Sequence, residues 1–291
     1  NTTKGTYFGS IQAAISDPLT TAGDVITVAA GTYVGDLTID KAVTLLGPNA
    51  AINPNTGTRV AEAVIHPSTS NPDPAVCTNM AYLSTSGITI KGFTFDGDNP
   101  ALTSGILING ADVDACEILS GYEGMGSIVV ENNILKNATY AGIDFYNFTS
   151  GAAPTTNNYI RYNKIDGIGE TTYNWGLGIL VTRNFYADVT DNVITHTRVG
   201  IQADYHTLPN PGTTGRVSNN QISAWRLGLF LNQQYSSGTP LIIANNTFTA
   251  ENYAGATNWS GILVSTITGT ANTTITGNTI VIPPTDTHTG Y

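Results

Sequence analysis

Charge is scarce in this sequence: only 11% of its 291 residues are Asp, Glu, Lys or Arg. Of these, 21 are acidic and 11 basic, for a net charge of -10. That balance excludes nucleic acid as a partner, because a phosphate backbone is met by clustered Lys and Arg. It also opposes polyanionic glycans unless calcium or a local Arg cluster intervenes. Long apolar runs are missing too. None approaches the roughly 18 residues of a spanning helix, so no membrane insertion is expected. Cysteine is limited to Cys77 and Cys116. Two thiols with no close His make a poor metal site.

Gly, Asn and Thr are plentiful, and they recur in order. The segment VTDNVITH from Val189 has counterparts in VENNILKN from Val130, IRYNKIDG from Ile160, VSNNQISA from Val217, IANNTFTA from Ile243 and ITGNTIVI from Ile275. Each carries one Asn at the same place: Asn133, Asn163, Asn192, Asn220, Asn246 and Asn278, with successive differences of 30, 29, 28, 26 and 32. A second segment recurs as SGILING from Ser104, AGIDFYN from Ala141, LGILVTR from Leu177, VGIQADY from Val199, LGLFLNQ from Leu227 and SGILVST from Ser260. Each unit thus holds at least two short alternating strands bounded by turn residues and has no room for a crossover helix. Such a period predicts a solenoid, its coils stacked about 4.8 Å apart as parallel strands. The recurring Asn is expected at the inward bend, its amide bonding to the same Asn one coil above and below, so that turn groups are not buried unpaired.

These repeats, with the opening FGSIQAAISDP and GDVITVAAGTYVGDLTIDKAVTLLGPN, resemble the right-handed parallel β-helix proteins typified by pectate lyases. The resemblance spans nearly the whole chain and implies an all-β, single-stranded right-handed parallel β-helix. It is specific for fold and nearly silent on chemistry, since one scaffold hosts many activities. Phe8, Ile11, Ala14 and Ile15 fall at helical spacing, so residues 8–23 are expected to form an amphipathic capping helix and its lead-in. One domain over 1–291 is expected, with loop insertions at 48–86 and 111–127. A Cys77–Cys116 disulfide would clamp both insertions in an exported protein. The low-charge, Thr/Asn-rich composition suggests a secreted or cell-surface setting, with the chain a piece of a larger protein carrying further domains.

Side chains that point outward from stacked strands form columns. Aligned on their Gly, the second segments place Asn109, Tyr146, Thr182, Asp204, Asn232 and Ser265 in one column, with Asp144 and Gln202 two residues earlier. Trp175 precedes this strip; Arg183, Tyr205, His206 and Gln233 follow its strands. Tyr146, Trp175, Tyr205 and Gln233 suit a polysaccharide or other glycan, whose rings stack on aromatics and whose hydroxyls bond amides. Asp144, Arg183, Asp204 and His206 are the candidate catalytic groups of a polysaccharide lyase or glycoside hydrolase. Asp144 and Asp204, two coils apart, lie about 9.6 Å apart along the axis, marginal for inverting hydrolysis. No cofactor is required by this reading; calcium is an option at Asp112, Asp114 and Glu117, set against a solvated acidic loop. The leading expectation is a glycan-binding or spacer domain. A lyase or hydrolase and a purely structural surface-layer or filament module are the alternatives.

Overall fold

The computed structural model describes residues 1–122, 124–146, 155–169, 175–183, 185–204, 215–232, 234–235, 241–265, 267–268 and 273–290. Its strands wind into a parallel β-helix with three faces. The first face runs Val25–Thr27, Thr44–Leu46, Thr89–Lys91, Val129–Glu131, Thr155–Arg161, Phe185–Thr190, Gly215–Ser218, Leu241–Ala244 and Thr273–Thr276. The second begins at Gly31–Val34 and Ala63–His66, and the third at Leu37–Ile39, Asn79–Leu83 and Ala115–Gly121. Ile134–Tyr146, Val193–Asp204 and Gln221–Asn232 are long enough to turn the corner and pair on both the second and third faces.

Period-two patterning sets what points in. Ile143, Ile179, Ile201 and Leu229 are in register on successive coils and fully buried, one column of the core. The bend between the first and second faces is set by a left-handed residue just before each recurring Asn. Asn132, Tyr162, Asp191, Asn219, Asn245 and Gly277 have φ of 58°, 56°, 58°, 58°, 57° and 62°. Asn, Asp and Gly tolerate that conformation best, which accounts for the paired Asn in three of the repeats. The following Asn then turns inward. Asn163 donates from its backbone N–H and from Nδ2 to Asn192 Oδ1 at 3.0 and 3.1 Å. Asn192 donates likewise to Asn220 Oδ1, both at 3.0 Å, and also from Nδ2 to the Ile160 carbonyl at 2.9 Å. The pattern continues through Asn246 to Asn278. Outside this bend, Arg59 donates to the carbonyls of Asn132 and Phe93, and Asn55 to that of Asn163.

The amphipathic stripe folds as a six-residue helix, Ile11–Ser16, shorter than the 8–23 expected. Ser10 caps it, accepting from the Ala13 N–H at 3.1 Å, and Ile11, Ala14 and Ile15 are buried over the first coil.

Two sequence expectations need correction. Residues 111–127 are not a loop: Ala115–Gly121 is a strand of the third face with all seven residues buried. Residues 48–86 hold the strand Ala63–His66, within the strand-like run AEAVIHP, and also the strand Asn79–Leu83, where only loop was expected. Conversely, SGILING is no solenoid strand. Leu107–Ile108 and Ala111–Asp112 pair as an antiparallel hairpin. Its tip is Asn109–Gly110, with φ of 48° and 89°, the two left-handed residues that a tight hairpin turn demands. Asn109 therefore leaves the outward strip.

Candidate active cleft on the third face

Register decides which outward side chains meet. Ser120, Asp144, Leu180, Gln202 and Phe230 lie opposite one another on successive coils, and Tyr146, Thr182 and Asn232 belong to the neighbouring column, the Asp204 backbone pairing between the last two. Over them lies residues 73–77. The Cys77–Cys116 disulfide, with Cα atoms 5.3 Å apart, ties this segment to the buried strand. Just upstream, Asn71 donates to the Asp114 carbonyl at 2.8 Å and the Thr139 hydroxyl to the Pro72 carbonyl. Strap and sheet enclose a cleft of about 1180 Å³. Asp144, Tyr146, Trp175 and Arg183 all line it.

Sequence reasoning missed Tyr122 and read Glu117 only as a calcium option in an acidic loop, whereas both line the cleft. The segment EILSGY falls where AGIDFY stands one coil on, Glu117 opposite Ala141 and Ser120 opposite Asp144. The available signal was the aromatic end, Tyr122 matching Tyr146, whose rings lie 4.5 Å apart. Glu117 and Asp144 are each 3% exposed. Burial pushes the Glu117 carboxyl up to about 7, against the opposing hydrogen bond donated by the Tyr122 hydroxyl. Burial, and then the charge of Glu117, raises Asp144 well above the usual carboxylate range, and Asp144 Oδ1 has no hydrogen-bond partner among the described residues. Burial raises the Tyr122 hydroxyl as well, and Glu117 adds to it. Tyr146 is pushed up to about 12 by burial and by the Asp144 and Glu117 charges.

The walls are aromatic. Tyr82, Tyr122 and Tyr146 follow one another across coils with centroids 5.6 and 4.5 Å apart, and the Arg183 guanidinium lies 5.8 Å from the Tyr146 centroid. Opposite, Tyr140 meets Trp175 edge-on at 5.2 Å, leaving the indole 44% exposed.

The carboxylate pair differs from the expected one. Asp144, opposite Ser120 in register, shares the cleft with Glu117 of the adjacent coil and feels its charge, whereas Asp204 pairs with Thr182 and its side chain lies outside the described residues. Tyr205, His206 and Gln233 also lie outside them. The three acidic calcium candidates do not converge. Asp112 accepts from Ser104 and Gly105 within the hairpin, Asp114 from the Asn99 N–H at 3.1 Å, and Glu117 points into the cleft. Among the described residues, no three His, Cys, Asp or Glu side chains group as a metal site. No helix among them is long and apolar enough to cross a membrane.

Fold and site together define a parallel β-helix protein with an open, aromatic-lined cleft that carries two buried carboxyls on one outer face. The chain belongs to the right handed beta helix family, whose described region matches residues 79–280. Among solved structures it is similar to a pectin methylesterase in complex with a hexasaccharide, at 14% identity and a TM-score of 0.50, over 86% of this chain and 77% of that one. At that identity the likeness is one of fold. No curated protein sequence matches significantly.

Proposed function

We propose that this chain is an exported glycan-binding β-helix domain whose ligand lies along the third-face cleft. The observation that most supports this is the exposed Trp175 indole opposite the Tyr122–Tyr146 file, across a groove with two carboxyls at its floor. Sugar rings stack on such faces, and the carboxyls accept their hydroxyls. The disulfide supports an oxidising setting. The similarly folded pectin methylesterase holds a hexasaccharide, in keeping with a glycan here. Calorimetric titration against a glycan panel tests the reading. Trp175→Ala, a change at a half-exposed position, is expected to weaken binding roughly tenfold without altering the melting curve. Absence of binding to every glycan at millimolar concentration sinks it.

One observation favours a second reading, glycosidic bond cleavage. Two carboxyls both raised by burial, with the Glu117 charge raising Asp144 further, do not both ionise readily near neutral pH, so one is left as a proton donor and the other as a base or nucleophile. Reducing-end assays decide. If the cleft is catalytic, Glu117→Gln lowers turnover by about 100- to 10,000-fold while glycan affinity stays within a few-fold. Binding without any new reducing or unsaturated ends leaves the first reading alone.

A further inference from the structure

Next to the cleft, on the same face, is a groove of about 320 Å³ whose lining includes Arg198, Arg226 and Asn258, with Gln202 shared between the two. It owes its shape to a shift in register. Thr197 pairs with Ala224 and Val199 with Leu227, so Arg198 alone faces both Trp225 and Arg226. Such a bulge re-aims side chains. Trp225 is buried, stacked on Tyr253 at 4.3 Å, and Arg226 is exposed. The Arg198 guanidinium is left 5.9 Å over the Trp225 ring.

Elsewhere Lys4, Arg59, Lys91, Lys136 and Arg161 each sit against a carboxylate. Arg198 and Arg226 form no ion pair among the described residues, and no carboxylate lines their groove. The Arg198 Nε is buried with no acceptor among the described residues. The indole accounts for the face of the guanidinium but not for its edge donors. Leaving a charged donor dry and beside a like charge is unfavourable, and burial together with Arg226 destabilises the Arg198 charge accordingly. In a chain of net charge -10, two adjacent arginines with no ion pair among the described residues leave room for an anion from outside.

We propose that Arg198 and Arg226 form an anion-reading subsite that takes a carboxylate or sulfate group carried by a glycan lying in the adjoining cleft. This rests on the glycan reading above. Asp144, Leu180, Gln202 and Phe230 step along four coils, so the charged sugar sits roughly 10–14 Å along the axis from the Glu117–Asp144 pair. Gln202 bridges the two. The local cation pair overcomes the repulsion that net charge imposes on such a ligand.

The test uses oligosaccharides matched in length: a uronate oligomer, its neutral methyl ester, and a sulfated oligomer. The wild-type chain should bind at least one charged oligomer roughly ten- to a hundredfold tighter than the neutral one. Which charged arm wins separates carboxylate from sulfate. Arg226→Gln, at an exposed position, should remove most of that preference and leave neutral affinity unchanged; Arg226→Lys should retain part of it. Equal affinity for charged and neutral oligomers, or a preference surviving in Arg198→Gln/Arg226→Gln, overturns the subsite while leaving the glycan reading intact. Inorganic sulfate at fixed ionic strength gives an independent arm. It should change the tryptophan emission saturably, through Trp225, in the wild type and not in the double variant. That response without binding of any glycan would retire the glycan reading instead, and no Arg-dependent response to either probe overturns the subsite.

Discussion

Asn192 shows how direction enters the solenoid one residue at a time. Its Oδ1 serves the coil before it, accepting from Asn163 twice, while its own N–H and Nδ2 reach Asn220 on the coil after. Asn192→Leu therefore strands the buried Asn163 N–H and the Ile160 carbonyl, but leaves the Asn192 backbone bond to Asn220 in place. The expected loss is about 1–3 kcal/mol, with stronger coupling to Asn163 than to Asn220 in double-mutant cycles. An unchanged denaturation midpoint would remove these amides from the stability account. Glu117 and Asp144 act in a second way. Both hold their protons more tightly folded than unfolded, Glu117 up to about 7. The folded chain therefore carries more protons than the unfolded chain between about pH 4 and 7, and this part of its stability is full below that window and lost as pH rises through it. For Glu117 the loss is on the order of 3 kcal/mol. Melting curves from pH 5 to 8 should slope downward, and Glu117→Gln should flatten them. A slope of the opposite sign, or one indifferent to the substitution, refutes the buried pair.

Among elements, the strand Ala115–Gly121 and its disulfide matter most. Reducing Cys77–Cys116 opens a covalent loop of 39 residues, which contributes about 3–4 kcal/mol by chain entropy. Residues 71 and 72 remain fastened by their bonds to Asp114 and Thr139, so the strap loosens from 73 to 77 only. Hydrogen exchange with and without reductant should show that segment losing protection before any solenoid strand, and glycan affinity should fall with it. Equal protection in both states removes the strap from the site. This element was also the hardest to see in the letters. Asp144, Tyr146, Trp175 and Arg183 were legible because they stand in or beside copies that carry the marker Gly. EILSGY has no such Gly, while SGILING has one and uses its Asn-Gly for a hairpin. A short motif cannot distinguish a turn that ends a coil from one that leaves it, and only pairing to both neighbours, Asn79 and Ala141, reveals Glu117.

At the scale of the molecule, the two ends differ. The first coil lies under the Ile11–Ser16 helix, whereas Ile275, Ile280 and Ile282 of the last coil are 49%, 55% and 45% exposed. In a stack where each coil touches only its neighbours, the coil with the more exposed apolar side chains opens first. Amide exchange should therefore be fastest in Thr273–Thr276 and Thr279–Val281 and slowest around Ile143, Ile179 and Ile201. Uniform protection along the axis would contradict nearest-neighbour stabilisation. The period itself, one Asn per coil, was readable without coordinates. The depth of the cleft was not, since it depends on a strap from one part of the chain crossing strands from another.

The one-way amide bonds between coils also determine how such a protein lengthens or shortens by descent. Every turn presents the same acceptor backward and the same donors forward, so excising the 28 residues that separate Asn192 from Asn220 would rejoin matching partners. A deletion that removes less than a whole turn would leave the bend amides misaligned and shift the strand registers along with them. Insertions and losses in this lineage are thereby channelled into whole turns, and a reading frame for change is written into the hydrogen bonds of a single side-chain type.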